Sequence, residues 1–228
     1  MKKHIVALTG AGISADSGLK TFRDTGGLWE GHNVNDVATP EGFAKNPQLV
    51  IDFYNARRRQ NKAAQPNAAH LALKELEQYF TVSVITQNVD NLHEKAGSGS
   101  VLHLHGELNK LCSTVDKDYI IDWFDDQPYD LQDKNGNLMR PFIVWFGEAV
   151  PKIDDAIRLG ETADIVLIIG TSLAVYPAAG LYQFAPKNAE IHLIDPNPTR
   201  LAGIKITAQN AAVGVPKVAN DLIQRFAK

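Results

Sequence analysis

Cysteine is almost missing from this chain: Cys112 stands alone among 228 residues, so no intrachain disulfide can staple the fold. Long apolar runs are missing as well, and without about 20 consecutive apolar residues no segment reads as a membrane-crossing helix. Positive charge is not in excess. A formal net charge of -3 argues against a broad phosphate-backbone footprint, and so against nucleic acid as the main partner. Lys2 and Lys3 open the chain like a secretion signal, but the apolar run from Ile5 to Leu8 is too short for one and reads as a first strand. The expectation is a cytoplasmic monomer without membrane or nucleic-acid partners.

What is present is a core. A hydrophobic content of 44% supports one, and short β-branched runs recur at His4 to Leu8, Thr81 to Thr86, Val101 to Leu104, Phe142 to Phe146, Ile165 to Ile169 and Ile191 to Ile194. Helical patterns lie between several of them, two of which open at Asn46-Pro47 and Pro66-Asn67. The fold class read from this alternation is α/β, a parallel sheet with helices on both faces. Cys112 to Arg140 differs in kind: seven Asp residues fall between Asp116 and Asp133, and Asn135-Gly136-Asn137 signals a turn, so this stretch reads as a small solvated insert.

Chemistry-bearing residues gather at strand ends. Thr81 to Ile85 delivers Gln87, Asn88 and Asp90 to a loop, and Val101 to Leu104 delivers His105 just before Gly106. His103 and His93 read as structural. Gly10-Ala11-Gly12-Ile13-Ser14 follows the first strand, where glycines let backbone N–H groups approach a pyrophosphate and Ser14, Asp16 or Ser17 can cap a helix. The spacing is not G-x-G-x-x-G, and a tight turn explains it equally. Gly170-Thr171-Ser172 and Asp195 end two further strands, so these ends converge on one nucleotide in an open sheet. Asp195 reads either as a ribose ligand or as the start of the turn Asp195-Pro196-Asn197-Pro198.

Together GAGISADSGLKTFRD at Gly10 to Asp24, TQNVDNLHEKAGS at Thr86 to Ser98, HGEL at His105 to Leu108, RPFIVWFGE at Arg140 to Glu148 and GTS at Gly170 to Ser172 resemble the sirtuin family of NAD-dependent protein-lysine deacylases. The resemblance covers nearly the whole chain. It implies one catalytic domain with a Rossmann-like NAD-binding part at about 1–25, 81–108 and 141–228, and a small module built from insertions at about 26–80 and 109–140. NAD would be held by Gly10, Ala11, Gly12, Ile13, Ser14, Phe22, Arg23, Gln87, Asn88, Val89 and Asp90, and at the adenosine end by Gly170, Thr171, Ser172, Asp195, Asn197 and Ala211. Asn88, Asp90 and His105 become catalytic, His105 as general base. Val144, Phe146, Gly147 and Glu148 would pair with an extended acyl-lysine peptide by strand addition. Nicotinamide and O-acyl-ADP-ribose would leave.

Leu49, Val50, Phe53, Tyr54 and Arg57 fall on one helical stripe after Pro47, which turns Tyr54 and Arg57 inward and leaves Arg58 and Arg59 on flanking faces. A planar fork beside a phenol suits a carboxylate, and Tyr-x-x-Arg resembles the class III sirtuins, which remove succinyl and malonyl groups as well as acetyl. The alternative is that Arg57 snorkels or pairs with a structural carboxylate such as Asp52 or Glu41. Three departures accompany the resemblance: Thr25 replaces a usual Ala, Asp195 a usual Asn, and the four zinc-binding cysteines shrink to Cys112. Without thiolates no structural zinc is expected, and Tyr119, Ile120, Ile121, Trp123, Phe124 and Leu131 are expected to hold the insert. Rival readings are a hydride-transferring dehydrogenase, a sirtuin-like ADP-ribosyltransferase and a non-catalytic NAD-binding module.

Overall fold

A computed structural model describes residues 2–20, 28–29 and 31–226; Phe22, Arg23 and Thr25 lie outside the described residues. In chain order the elements are β1 (His4–Thr9), α1 (Gly12–Ala15), β2 (Leu28–Trp29), β3 (His32–Asn33), α2 (Val34–Val37), α3 (Pro40–Lys45), α4 (Pro47–Ala63), α5 (Ala68–Leu76), β4 (Thr81–Thr86), α6 (Leu92–Lys95), β5 (Val101–His103), β6 (Gly106–Ser113), β7 (Ile120–Asp122), β8 (Met139–Ile143), α7 (Ile153–Glu161), β9 (Ile165–Ile169), a 3-10 stretch (Ala178–Phe184), β10 (Glu190–Ile194), β11 (Lys205–Thr207) and α8 (Ala211–Phe226).

Six strands form one parallel sheet in the order β11-β10-β9-β1-β4-β5. Successive side chains of a strand face opposite ways, and β1 shows the consequence: Ile5 and Ala7 enter a core with α5 and α8, while Val6 and Leu8 enter another beneath α7 and the 3-10 stretch. Burial on both faces explains why β1 and β9 read as near-continuous apolar runs, while β4 mixes buried Val and Ile with buried Ser83 and Thr86. The chain departs from β1 towards β4 and β5, then returns on the other side through β9, β10 and β11. Strand order therefore reverses between β1 and β9, and ligands of such sheets sit beyond the carboxyl ends at that point.

Four expectations are corrected. Residues 142–146 are not a parallel strand; β8 spans Met139–Ile143 and joins β6 and β7 in a separate antiparallel sheet. The sixth parallel strand is β11, whose three residues are too few to carry a periodic signal. Residues 68–76 do not belong with the small module, because Ala69, Ala72, Leu73 and Leu76 of α5 pack on the main sheet beside Val215 and Leu222. Pro66 precedes the α5 cap rather than entering its first turn: Asn67 Oδ1 accepts from Ala69 N–H at 2.9 Å, and His70 Nδ1 accepts from Asn67 N–H at 3.3 Å.

The small module has its own apolar cluster, in which Val50, Ile51, Phe53 and Tyr54 of α4 pack against Leu108, Ile143 and Trp145. α4 starts where expected, with Asn46 Oδ1 accepting from Leu49 N–H at 3.1 Å and Pro47 in the first turn. The apolar residues expected to hold the insert do so only in part, since Ile120 and Phe124 are exposed. Polar ties replace them. The buried Gln127 exchanges backbone bonds with the Asn55 side chain, donating at 2.8 Å and accepting at 3.1 Å, and its own Nε2 donates to Met139 O at 2.7 Å. Asp133 Oδ1 accepts from the N–H groups of Asn135 at 2.8 Å and Asn137 at 2.9 Å, closing the Asn135-Gly136-Asn137 turn.

Candidate active site

The ends of β1 and β9 touch backbone to backbone. Gly10 N–H donates to Ile169 O at 3.0 Å and Gly12 N–H to Gly170 O at 2.8 Å. A Cβ on Gly12 would lie 2.6 Å from Gly170 Cα, and one on Gly10 would lie 2.8 Å from Gly170 O. Gly170 itself has a φ of +58°, in the left-handed region. These glycines thus serve first to bring the two strand ends together at the switch point, beside Ala11, Ile13, Thr171 and Ser172. Ser14, Asp16 and Ser17 do not cap α1: its capping position is Ala11, with no side-chain bond. Ser14 does something else.

At the end of β4, Ser14 Oγ donates to Asp90 Oδ2 at 3.0 Å and accepts from Asn88 Nδ2 at 3.1 Å. Asn88 N–H is held by Thr86 Oγ1 at 3.0 Å, and Asp90 Oδ1 accepts from Leu92 N–H at 3.1 Å. Burial raises the Asp90 carboxyl above its ordinary range against these opposing bonds. Gln87 Nε2 donates to Thr171 Oγ1 at 3.2 Å, tying β4 to the β9 end. Val89 packs against the small-module core and its O accepts from Leu108 N–H at 2.8 Å. The structure therefore brings Ser14, Gln87, Asn88 and Asp90 into one polar array.

Two histidines of neighbouring register support that array from β5. His103 Nδ1 donates to Asn88 O at 2.9 Å, and its Nε2 meets Glu94 Oε1 at 2.9 Å, in keeping with a structural role. His105 Nδ1 lies 3.0 Å from Gln87 O. A carbonyl only accepts, so Nδ1 carries the proton and Nε2 presents a lone pair, with no hydrogen-bond partner among the described residues. Burial lowers the pKa of His105 below 6.5, partly offset by the Gln87 bond, which keeps the ring neutral at pH 7. Gly106, at φ +83°, turns the chain away at once, because any Cβ there would strike Phe142 O. His93 is buried with Nε2 3.1 Å from Thr9 Oγ1, as its structural reading requires.

The adenosine-side residues separate. Asp195 ends β10 next to Gly170, whose N–H donates to Ile194 O at 2.9 Å, but its Oδ1 accepts from Asn197 N–H at 2.8 Å, which makes the turn reading the one observed. Asn197 is exposed, and Ala211 is buried in the core at the start of α8.

The strand-addition segment has part of its backbone engaged within the protein. Val144 N–H donates to His105 O at 2.9 Å, Phe146 N–H to Ala38 O at 3.0 Å and Trp145 N–H to Glu148 Oε2 at 2.9 Å, so these donors are already spent. Glu148 is a tie rather than a ligand here: Arg140 holds it at 3.0 and 2.9 Å and Lys117 at 2.7 Å, pulling its carboxyl down to about 2 despite burial. Gly147 is exposed at φ +88°.

On α4, Arg57 lies over the rings of Trp29 and Phe53 at 4.0 and 4.3 Å and lines a cavity of about 220 Å³ with His32, Leu49, Asp52, Phe53, Ala56 and Gln60. Asp52, a rival partner for Arg57, instead accepts from Tyr129 Oη at 2.7 Å. Tyr54 is fully enclosed, and its oxygen accepts from Trp145 Nε1 at 3.0 Å. Sequence reasoning placed Arg58 on a flanking face, yet it is the most enclosed arginine of the helix, with Nε donating to Leu108 O at 2.9 Å and Nη1 to Asn55 Oδ1 at 2.7 Å. Arg59 is exposed beside Asp126. Thr86 received no role from sequence, and Trp145 only a place in the segment Val144 to Glu148 expected to pair with a peptide; the strand-end position of the one and the polar tip of the other were the available signals.

The model of the Sir2 family matches residues 10–177. The chain belongs to that family. It is 53% identical over 230 residues to an NAD-dependent protein deacylase of Bacteroides thetaiotaomicron, covering 97% of this chain and 98% of that protein. It is 56% identical to one of Helicobacter pylori, covering 85% of each. Among solved structures, a Sir2 homolog–NAD complex superposes with a TM-score of 0.88 at 38% identity, covering 99% of this chain and 91% of that one. Sir2 bound to acetylated peptide superposes with a TM-score of 0.79 at 28% identity, covering 98% and 93%. The six-stranded parallel sheet flanked by helices is thus the Sir2 fold.

Proposed function

We propose that this Sir2-family chain is an NAD-dependent protein-lysine deacylase that removes acetyl and acidic acyl groups, succinyl and malonyl among them, with nicotinamide and O-acyl-ADP-ribose as products. The observation that carries the reading is His105: a neutral imidazole whose Nδ1–H is fixed on the carbonyl oxygen of Gln87, the residue before Asn88, leaving Nε2 with a lone pair and no partner among the described residues. The strand order reverses between β1 and β9, the place where open parallel sheets take dinucleotides, polar side chains follow β4 next to it, and relatives named for NAD support that ligand.

When bound, NAD supplies an electrophilic ribose carbon once nicotinamide departs. The protein's part is position and proton handling. Gly10, Ala11, Gly12, Ile13 and Ser14 would face the diphosphate and ribose, with Gly170, Thr171 and Ser172 towards adenosine. Asn88 and Asp90, locked through Ser14, would orient the nicotinamide-side ribose and exclude water. His105 Nε2 would take the proton of a ribose hydroxyl. Arg57 and Tyr54 would receive an acyl carboxylate, the guanidinium by charge and the phenol by donating its hydrogen, for which no acceptor stands among the described residues. We also read the enzyme as a cytoplasmic monomer whose small module needs no zinc.

The test is an assay of NAD with matched acetyl- and succinyl-lysine peptides, following nicotinamide and free peptide. His105→Ala is expected to lose both activities, and Arg57→Met to lose mainly the succinyl one. Label from NAD retained on protein would replace this reading by ADP-ribosyl transfer, and intact NAD by a binding module.

A further inference from the structure

Tyr54 and Trp145 meet through one hydrogen bond whose direction is not a matter of choice. An indole N–H only donates, so the 3.0 Å contact makes the Tyr54 oxygen the acceptor. The phenolic hydrogen must then point elsewhere, and no described residue receives it. Tyr54 is 0% exposed, so water at the protein surface does not receive it either, and burial lifts its pKa well above the usual range, which keeps the proton in place at any working pH. An enclosed O–H without an acceptor is costly; Tyr54 does not itself line the cavity at Arg57, so a ligand relieves that cost by displacing the packing between its neighbours Phe53 and Arg57 and bringing an acceptor.

Trp145 is itself held rigidly. Its ring lies under the Arg140 guanidinium at 3.6 Å; Arg140 grips the Glu148 carboxylate with two nitrogens at 3.0 and 2.9 Å; and that carboxylate accepts from the Trp145 backbone N–H at 2.9 Å. Lys117 closes the far end on Glu148 at 2.7 Å. The run RPFIVWFGE thereby forms a clamp around one indole, and the indole sets one phenol.

We propose that Trp145 is a specificity-determining residue that acts through Tyr54: its indole N–H occupies the phenol oxygen and reserves the phenolic hydrogen for an anionic acyl group. The proposal rests on the acidic-acyl reading of Tyr54 and Arg57. A carboxylate accepts that hydrogen, whereas an acetyl methyl leaves it unsatisfied, so the reservation favours the acidic substrate.

A double-mutant cycle tests it, with kcat and KM for succinyl- and acetyl-lysine peptides and a thermal melt for every variant. Trp145→Phe, which keeps an aromatic ring under Arg140, is expected to lower the succinyl-to-acetyl ratio of kcat/KM by about tenfold, mainly through succinyl KM, as the loss of one oriented hydrogen bond predicts. In a Tyr54→Phe background the same change is expected to alter the ratio by less than about twofold. Glu148→Gln, which loosens the clamp without touching either ring, is expected to lower the ratio in the same direction, and serves if Trp145→Phe does not fold. An equal loss of both acyl activities, or the same loss with and without the Tyr54 hydroxyl, overturns the proposal in favour of plain packing. A Tyr54→Phe variant with an unchanged ratio overturns the acidic-acyl reading as well, whereas a lowered ratio in Tyr54→Phe with none in Trp145→Phe overturns this inference alone.

Discussion

In the parallel-sheet half, the ends of β1 and β9 are held by backbone meeting backbone, whereas the loop after β4 relies on side chains such as Ser14, Asn88 and Asp90. Gly10, Gly12 and Gly170 bring the β1 and β9 ends within hydrogen-bonding distance, and a single added methyl at Gly12 has 2.6 Å in which to fit. In the small module, loops are held by side chains reaching across: Asn55 to Gln127, Asp133 to the turn after it, Arg140 and Lys117 to Glu148. The first arrangement has no slack and little dependence on charge. The second tolerates shape changes but depends on each carboxylate and amide being in its bonded state.

The largest expected effect follows from the missing slack. Gly12→Ala should cost on the order of 3 kcal/mol or more in stability and abolish measurable NAD binding, because backbone has to move at both strand ends. Gly136→Ala in the module, where the nearest atom to a new Cβ is Gln132 Oε1 at 4.0 Å, should cost only about 1–2 kcal/mol, the penalty of its φ of +83°. Chemical denaturation of the two variants checks the contrast, and equal losses would dissolve it.

Next in size is Asn55→Ala. It strips the Gln127 backbone of both bonds and takes an acceptor from the buried Arg58, so a loss of about 2–4 kcal/mol is expected. Hydrogen exchange should show protection falling first over residues 109–140 while β1, β4 and β9 hold.

Acid separates the halves in a different order. Burial, with neighbouring histidines adding to it at His93, holds the folded pKa of His70 at about 4 and of His93 at about 3, both below 6.5. The unfolded chain therefore binds more protons as pH falls below 6.5, and the sheet half should shed about 1.4 kcal/mol per histidine for each pH unit until the folded values are reached. Glu148 and Asp133 are both held below the ordinary carboxylate range, so the stability they give is complete above about 4.5 and is lost only as pH falls further. Denaturant melts from pH 7 to 4 should show the slope beginning near 6.5, and His70→Gln should reduce it; a slope beginning only at carboxylate pH would contradict the assignment.

The smallest effect belongs to the exposed pairs Arg59–Asp126 and Lys62–Asp125 that link α4 to the insert. Asp125→Asn should shift stability by no more than about 0.5 kcal/mol, and less in high salt.

Sequence shows the two halves unequally for the same reasons. β1 and β9 are legible because burial on both faces leaves a nearly continuous apolar run, β4 because it is rich in β-branched residues, and His105 and Asp90 because each lies just beyond a strand end. The module's supports are not local. Arg58 finds Leu108 O fifty positions away, Asn55 finds Gln127, and Tyr54 finds Trp145, so no period of α4 could rank Arg58 above Arg59 as the buried one. Residues 142–146 look like a strand by composition, yet Glu148 captures the Trp145 N–H and ends pairing at Ile143.

The central claim is that His105 acts as a neutral base, and the pH dependence of kcat/KM for deacylation tests it most directly. The account expects an acid limb whose pKa lies below 6.5, because burial lowers the ring, and expects His105→Ala to lose about 100-fold or more in rate together with that limb. A limb that persists in the variant, or activity within a few-fold of the parent, would contradict it.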